Sequence, residues 1–196
     1  MGKNMLPAMS PRQVQIAALA RQKIEQKPVY IDTETTGLSR TDEIVEISII
    51  DHDGTELLSK LVKPSQAIPR EAERIHGVSN VMVKNSQAWP ILWPQIRAIL
   101  YGRLIGAYNA EFDARMMEQS HQRYRLPWRE NLTYVDVLKL FSEFRGEYDP
   151  VRGSYRYFKL EEAGRYFHIP LPNAHRSTAD ALLTRAVLHS IAGLPY

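Results

Sequence analysis

The amino-acid sequence predicts an α/β fold: a mixed five-stranded sheet, its first three strands a meander, with helices on both faces. Two observations predict it. Apolar runs at 29–33, 44–51 and 56–63 come first, the last two joined by the turn residues Asp53 and Gly54 as in an antiparallel hairpin. Beyond them the pattern changes to helical spacing interrupted by short strands at 104–107 and 132–135.

The elements follow in order. Residues 1–27 form an N-terminal helical appendage in which Ser10 caps a helix with Pro11 at its first position. Val14, Ala17, Ala18, Ala20 and Ile24 give that helix a modest apolar face, and Pro28 ends it. The main domain occupies 28–196, with helices expected at 70–76, 90–101, 110–124, 136–144, 160–167 and 178–192. The one long irregular segment, 145–158, interleaves Arg145, Arg152 and Arg156 with Tyr148, Tyr155, Tyr157 and Phe158, and Lys159 follows. Such a mixture is able to neutralise phosphates and stack on bases.

Composition limits the function. With 196 residues, 44% of them hydrophobic, the chain buries one substantial core rather than two. A formal charge of +3 suits a polyanionic partner without requiring one. No apolar run approaches the roughly 20 residues that span a bilayer, the N-terminus lacks a signal-peptide core, and Leu6 stands where a myristoylation signal needs Ser or Thr, so no membrane partner is expected. The absence of cysteine excludes disulfides and thiolate metal sites and suits a reducing cytoplasm. Any bound metal must therefore sit on oxygen or imidazole ligands.

Three short clusters carry the chemistry. The first apolar run ends in Asp32-Thr33-Glu34-Thr35-Thr36-Gly37; a two-residue side-chain period points Asp32 and Glu34 to one face, close enough to share a cation. Gly37 then supplies a tight turn that lets the backbone approach a ligand. The second cluster, Asn109-Ala110-Glu111-Phe112-Asp113, passes from a strand into a helix; the third, His175-Arg176-Ser177-Thr178-Ala179-Asp180, opens the last helix. Taken singly, each has an ordinary structural meaning: an exposed strand end, an Asn109 cap with Asp113 as a first-turn acid, and a capping box of Ser177 and Asp180. Their order and spacing together are far more specific than any one of them.

Asp-x-Glu with its Thr-Gly turn, then Asn-x-x-Phe-Asp, then His-x-x-x-x-Asp resembles the three sequence blocks of the DEDDh, or DnaQ-like, 3′→5′ exonucleases, the family of the epsilon proofreading subunit of bacterial replicases. The resemblance runs from about Val29 to Ala192 and implies a ribonuclease H-like sheet. Ile75-His76-Gly77-Val78 is similar to the family's His-Gly loop near the substrate. Tyr108 stands where many members have His, and Arg176 stands where the tyrosine subtype carries Tyr, so the histidine subtype is the match.

The resemblance implies a site with two divalent ions, Mg²⁺ or Mn²⁺, held by Asp32, Glu34, Asp113 and Asp180. Asp32, Glu34 and Asp180 would hold the ion that carries the attacking water, Asp32 would bridge to the second, and Asp113 would act largely through bound water. His175 would be the general base; its ordinary pKa of about 6.5 suits turnover near neutral pH. Five residues along a helix rotate roughly 140° past a full turn, so His175 must lie outside the helix that carries Asp180. Thr35, Gly37, Leu38, His76 and Asn109 are expected to meet the substrate, with Leu38 wedged against the last base. The implied partners are 3′ ends of single-stranded DNA or RNA, with a polymerase or a second copy of the chain as protein partners. DNA is the first expectation because Asp-Thr-Glu-Thr-Thr-Gly looks most like the proofreading branch; RNA end maturation is the alternative, and a non-catalytic nucleic-acid-binding module on the same fold is another. A ribonuclease H-type endonuclease is disfavoured by the His-x-x-x-x-Asp block.

Overall fold

The computed structural model describes residues 9–170 and 176–196. Its main sheet contains β1 (Val29–Thr35), β2 (Ile44–Ile50), β3 (Glu56–Leu61), β4 (Leu104–Ala107) and β5 (Thr133–Asp136) in the order β3-β2-β1-β4-β5. The meander β1-β2-β3 is antiparallel; β4 and β5 run parallel to β1. This is the predicted mixed sheet. Gly54, at φ 95°, makes the β2–β3 turn, and its N–H donates to the Asp51 carbonyl at 3.0 Å.

Helices cover both faces. The described helices are α1 (Pro11–Glu25), α2 (Arg70–His76), α3 (Asn80–Val83), α4 (Trp89–Leu100), α5 (Ala110–Arg123), α6 (Val137–Arg145), α7 (Leu160–Tyr166) and α8 (Ser177–Ala192). Even-numbered residues of the two central strands, such as Tyr30 and Ile50, join one core with α1, α6, α7 and α8. Odd-numbered ones, Val29, Ile31, Ile47 and Ile49, join a second core with α4 and α5. None of the described helices is long and apolar enough to cross a membrane.

The N-terminal helix starts as expected: the Ser10 hydroxyl accepts from the Gln13 N–H at 3.2 Å while the Ser10 N–H donates to Oε1 of Gln13 at 2.9 Å. It lies along the domain rather than projecting from it. Ile16, Ala17 and Ala20 are buried, and Arg21 donates from Nε to the Ala192 carbonyl at the end of α8 at 2.7 Å.

Three local features differ from the expectations. The four-residue α3 was not anticipated, because one helical turn carries no period to detect. The expected helix start at 136 moves to Val137, since Asp136 ends β5 and caps α6 through its side chain, accepting from the Lys139 N–H at 3.1 Å. The segment 145–158 is not irregular throughout: β6 (Tyr148–Asp149) and β7 (Ser154–Tyr155) pair antiparallel inside it. Arg12 stacks 4.2 Å above the Tyr155 ring, and Arg145 lies over both Phe158 and Tyr166, at 4.7 and 4.6 Å.

Candidate active site

The carboxyl ends of β1, β4 and β5 lie on one edge of the sheet, where open α/β sheets hold their ligands. Asp32 and Glu34 leave β1 toward α8, and Asp180 in the first turn of α8 meets them. Carboxylate oxygens of Asp32, Glu34 and Asp180 all lie within 4.8 Å of one another. Between Asp32 and Glu34, Thr33 points to the opposite face, where its hydroxyl donates to Oδ1 of the buried Asp113 at 2.7 Å. The first two clusters are thus pinned together across 80 residues.

Crowding these acids has an electrostatic consequence. Burial, followed by repulsion from Asp113, Glu34, Asp180 and Glu46, pushes the Asp32 pKa well above the ordinary range. Burial and then Asp180, Glu46 and Asp113 push Glu34 up to about 8, with Arg176 opposing. Burial pushes Asp113 up to about 7 against the Thr33 hydrogen bond. A second cluster, Asp51, His52 and Asp53, behaves oppositely. Burial would raise Asp51, but bonds from Arg103, at 2.5 Å, and from His52 outweigh it and hold its pKa low. Arg103 gives that cluster a cation; in the other, Asp180 raises the pKa of both Asp32 and Glu34, and the hard oxygen donors of these three carboxylates are of the kind that suits Mg²⁺ or Mn²⁺.

The turn after Glu34 shapes a pocket of ≈ 410 Å³ lined by Glu34, Thr35, Gly37, Leu38, Ile75, His76 and Phe112 among others. Leu38 is 74% exposed and Ile75 61%, so two aliphatic side chains stand unburied at its mouth. Gly37 is required by crowding: a Cβ there would meet Oδ2 of Asp42 at 2.7 Å, and Asp42 braces the turn by accepting from the Thr36 hydroxyl and the Ser39 N–H, both at 2.7 Å. His76 is buried in the pocket wall, its Nδ1 accepting from the Val78 N–H at 3.0 Å. Its Nε2 then carries the proton and donates to the Thr35 carbonyl at 3.2 Å, so His76 supports the turn from behind. Asn109 precedes α5 in the left-handed region at φ 69° with no capping bond from its side chain, and lines a neighbouring pocket with Glu111, Phe112 and Arg115.

Other expectations resolve in detail. Ser177 is the first residue of α8 rather than its cap, and its hydroxyl pairs with Ser48 at 2.7 Å, so no Ser177–Asp180 capping box forms. The Tyr108 hydroxyl donates to the Phe158 carbonyl at 2.9 Å, toward the β6–β7 hairpin. In that hairpin Arg152 and Arg156 lie 3.5 and 3.3 Å from Asp149 and Glu147, and Arg145 also pairs with Glu147, so acids largely neutralise the cations visible in the sequence. His175 lies outside the described residues.

The sequence places Thr33, Phe112 and Ile75 inside the motifs without giving them a role, and it gives no place in them to Glu46. Glu46 sits in the wholly buried strand β2, directly across from Glu34, and accepts from Arg176 and from the Ser177 N–H. The one signal was an acid in a mostly apolar strand.

The sequence model of a family described as "Exonuclease", RNase T, matches residues 29–188. The chain belongs to this exonuclease family. An uncharacterized exonuclease, CP81, of Escherichia phage 186 is 33% identical over 190 residues, covering 94% of this chain and 97% of the relative. The epsilon subunit of DNA polymerase III from Treponema pallidum is 25% identical, covering 81% of this chain and 75% of that one. The 3′-5′ exonuclease DinG of Bacillus subtilis is 29% identical over 88% of this chain, which spans only 19% of DinG. Among solved structures, exonuclease X in complex with 5′ overhanging duplex DNA superposes with a TM-score of 0.62 at 26% identity, covering 84% of this chain and 90% of that one. Exonuclease I, at 18% identity and a TM-score of 0.67 over 84% of this chain and 41% of its own, shares the fold. The expected DnaQ-like membership and ribonuclease H-like sheet therefore hold. As a family member the chain is an exonuclease, a phosphodiester hydrolase, and the 3′→5′ direction is typical of its family.

Proposed function

We propose that this exonuclease shortens DNA from single-stranded or frayed 3′ ends, releasing nucleoside 5′-monophosphates with two Mg²⁺ or Mn²⁺ ions. The observation that carries this reading is the meeting of Asp32, Glu34 and Asp180 oxygens within 4.8 Å of one another, beside a pocket of ≈ 410 Å³ that Glu34 also lines. Asp32, Glu34 and Asp180 would hold one ion, Asp32 would share the second, and Asp113 would act through bound water. Bound there, the ions supply an activated water and offset charge on the phosphoryl and leaving oxygens.

The chain's own residues do the remaining work. Leu38 and Ile75 grip the terminal base from the pocket mouth, and Phe112 forms the wall toward the next nucleotide. The Thr35–Gly37 backbone, backed by His76, meets the terminal sugar. His175 accepts the proton of the attacking water on an imidazole nitrogen. DNA as substrate is supported by the epsilon relative, by name a DNA polymerase subunit, and by exonuclease X, solved on DNA.

The test is a 5′-labelled single-stranded DNA incubated with the protein and Mg²⁺. The expected result is a ladder shortened one nucleotide at a time, mononucleotide product, and complete arrest by EDTA. Internal cuts would make the chain an endonuclease, binding without shortening would make it a binding module, and a faster reaction on matched RNA would turn the reading to RNA end maturation.

A further inference from the structure

We propose that Glu46 is a positioning residue of this site: it holds the Arg176 guanidinium off the Asp32–Glu34–Asp180 cluster and clamps the first turn of α8. The inference rests on the metal-site reading given above. Glu46 is 3% exposed in a strand buried along its whole length. It accepts from Nη2 of Arg176 at 2.6 Å, from Nε of Arg176 at 3.2 Å on both oxygens, and from the Ser177 N–H at 3.1 Å. A well-packed apolar residue would serve stability at least as well at such a position, so the acid's worth lies in what it holds.

What it holds is the approach of α8 to the sheet. The Arg176 carbonyl accepts the Asp180 N–H at 3.1 Å, so fixing Arg176 fixes the turn that delivers the Asp180 carboxylate. Arg176 is also a cation beside a cation site. Its side chain is 49% exposed, it faces Glu46 directly across from Glu34 in the β1–β2 register, and its charge already acts on Glu34. An arginine side chain reaches far enough to turn from Glu46 to Glu34. Released from Glu46, it would neutralise the cluster from within and compete with the metal.

Glu46→Gln isolates this effect. The Gln carbonyl still accepts from Ser177, and the Ser48 bonds to Ser177 and Thr178, both 2.7 Å, still tie α8 to the sheet, so the variant is expected to fold. The decisive measurement is calorimetric titration of Mn²⁺, without nucleic acid, into wild type, Glu46→Gln, Arg176→Gln and the double variant. Glu46→Gln should bind Mn²⁺ about tenfold more weakly, and the double variant should return to within about threefold of wild type. Arg176→Gln, which leaves the Glu46 charge unopposed, should bind no more weakly than the double variant, and this comparison decides the matter should the single Glu46→Gln variant not fold. On a 3′-ended DNA oligonucleotide, Glu46→Gln should lose kcat with little change in KM. Wild-type Mn²⁺ affinity in Glu46→Gln, or a double variant as weak as the single, would overturn the inference. Absence of Mn²⁺ binding by the wild type would instead overturn the metal-site reading itself.

Discussion

Glu34 and Asp113 hold their protons at pH values where ordinary carboxylates have lost them, up to about 8 and about 7, because burial and neighbouring acids oppose ionisation. The unfolded chain releases the same protons near its reference values of 4.5 and 3.8, so between those values and the folded ones it binds fewer protons than the folded chain. Stability therefore falls as pH rises through that window. Metal-free protein should melt lower at pH 8 than at pH 5, and excess Mg²⁺ should raise Tm more at pH 8, because the ion replaces those protons. A Tm in EDTA that is flat or rising over this range would contradict it. Asp32→Asn should abolish cleavage yet raise the metal-free Tm, since it removes a repelling charge along with a ligand; a simple loss of both would show the cluster is not strained by repulsion. His175→Ala should lower kcat by about 10² to 10⁴ while leaving the metal-induced Tm gain in place. The acids were legible because their spacing repeats a strand period and two helix starts. Glu46 and Arg176 were not, since they lie 130 residues apart and only folding makes them partners.

Each secondary element contributes to the site through its packing. β1 and β4 approach so closely that a Cβ on Gly106 would come within 2.7 Å of the Tyr30 ring. Gly106→Ala should cost about 1–3 kcal/mol in urea unfolding through overpacking, and an unchanged midpoint would mean the ring moves freely aside. α1 buries Ile16 against α6 and α8, so Ile16→Ala should cost about 2–4 kcal/mol, as for a core residue; an effect near zero would mean that α1 adds little to the stability of the main domain. The longer strands and helices could be read from apolar period alone. The two-residue strands of the β6–β7 hairpin could not, because no alternation develops over that length, and their arginines looked available for phosphate only until folding set them against Glu147 and Asp149.

At the scale of the whole molecule, the sheet divides the interior into two large cores and leaves one edge where β1, β4 and α8 converge. The cores fix the strands and helices rigidly enough that acids from distant parts of the chain meet despite mutual repulsion. On the proposed reading, that repulsion is what a divalent ion would relieve, because the crowded carboxylates cost folding stability that a bound cation would restore. The most direct measurement is anomalous diffraction from crystals grown with Mn²⁺ at pH 8. The expected result is a peak bounded by the carboxylates of Asp32, Glu34 and Asp180, with a second against Asp32 once a 3′ nucleotide is bound. Manganese bound elsewhere, with those three carboxylates left without an ion, would contradict it.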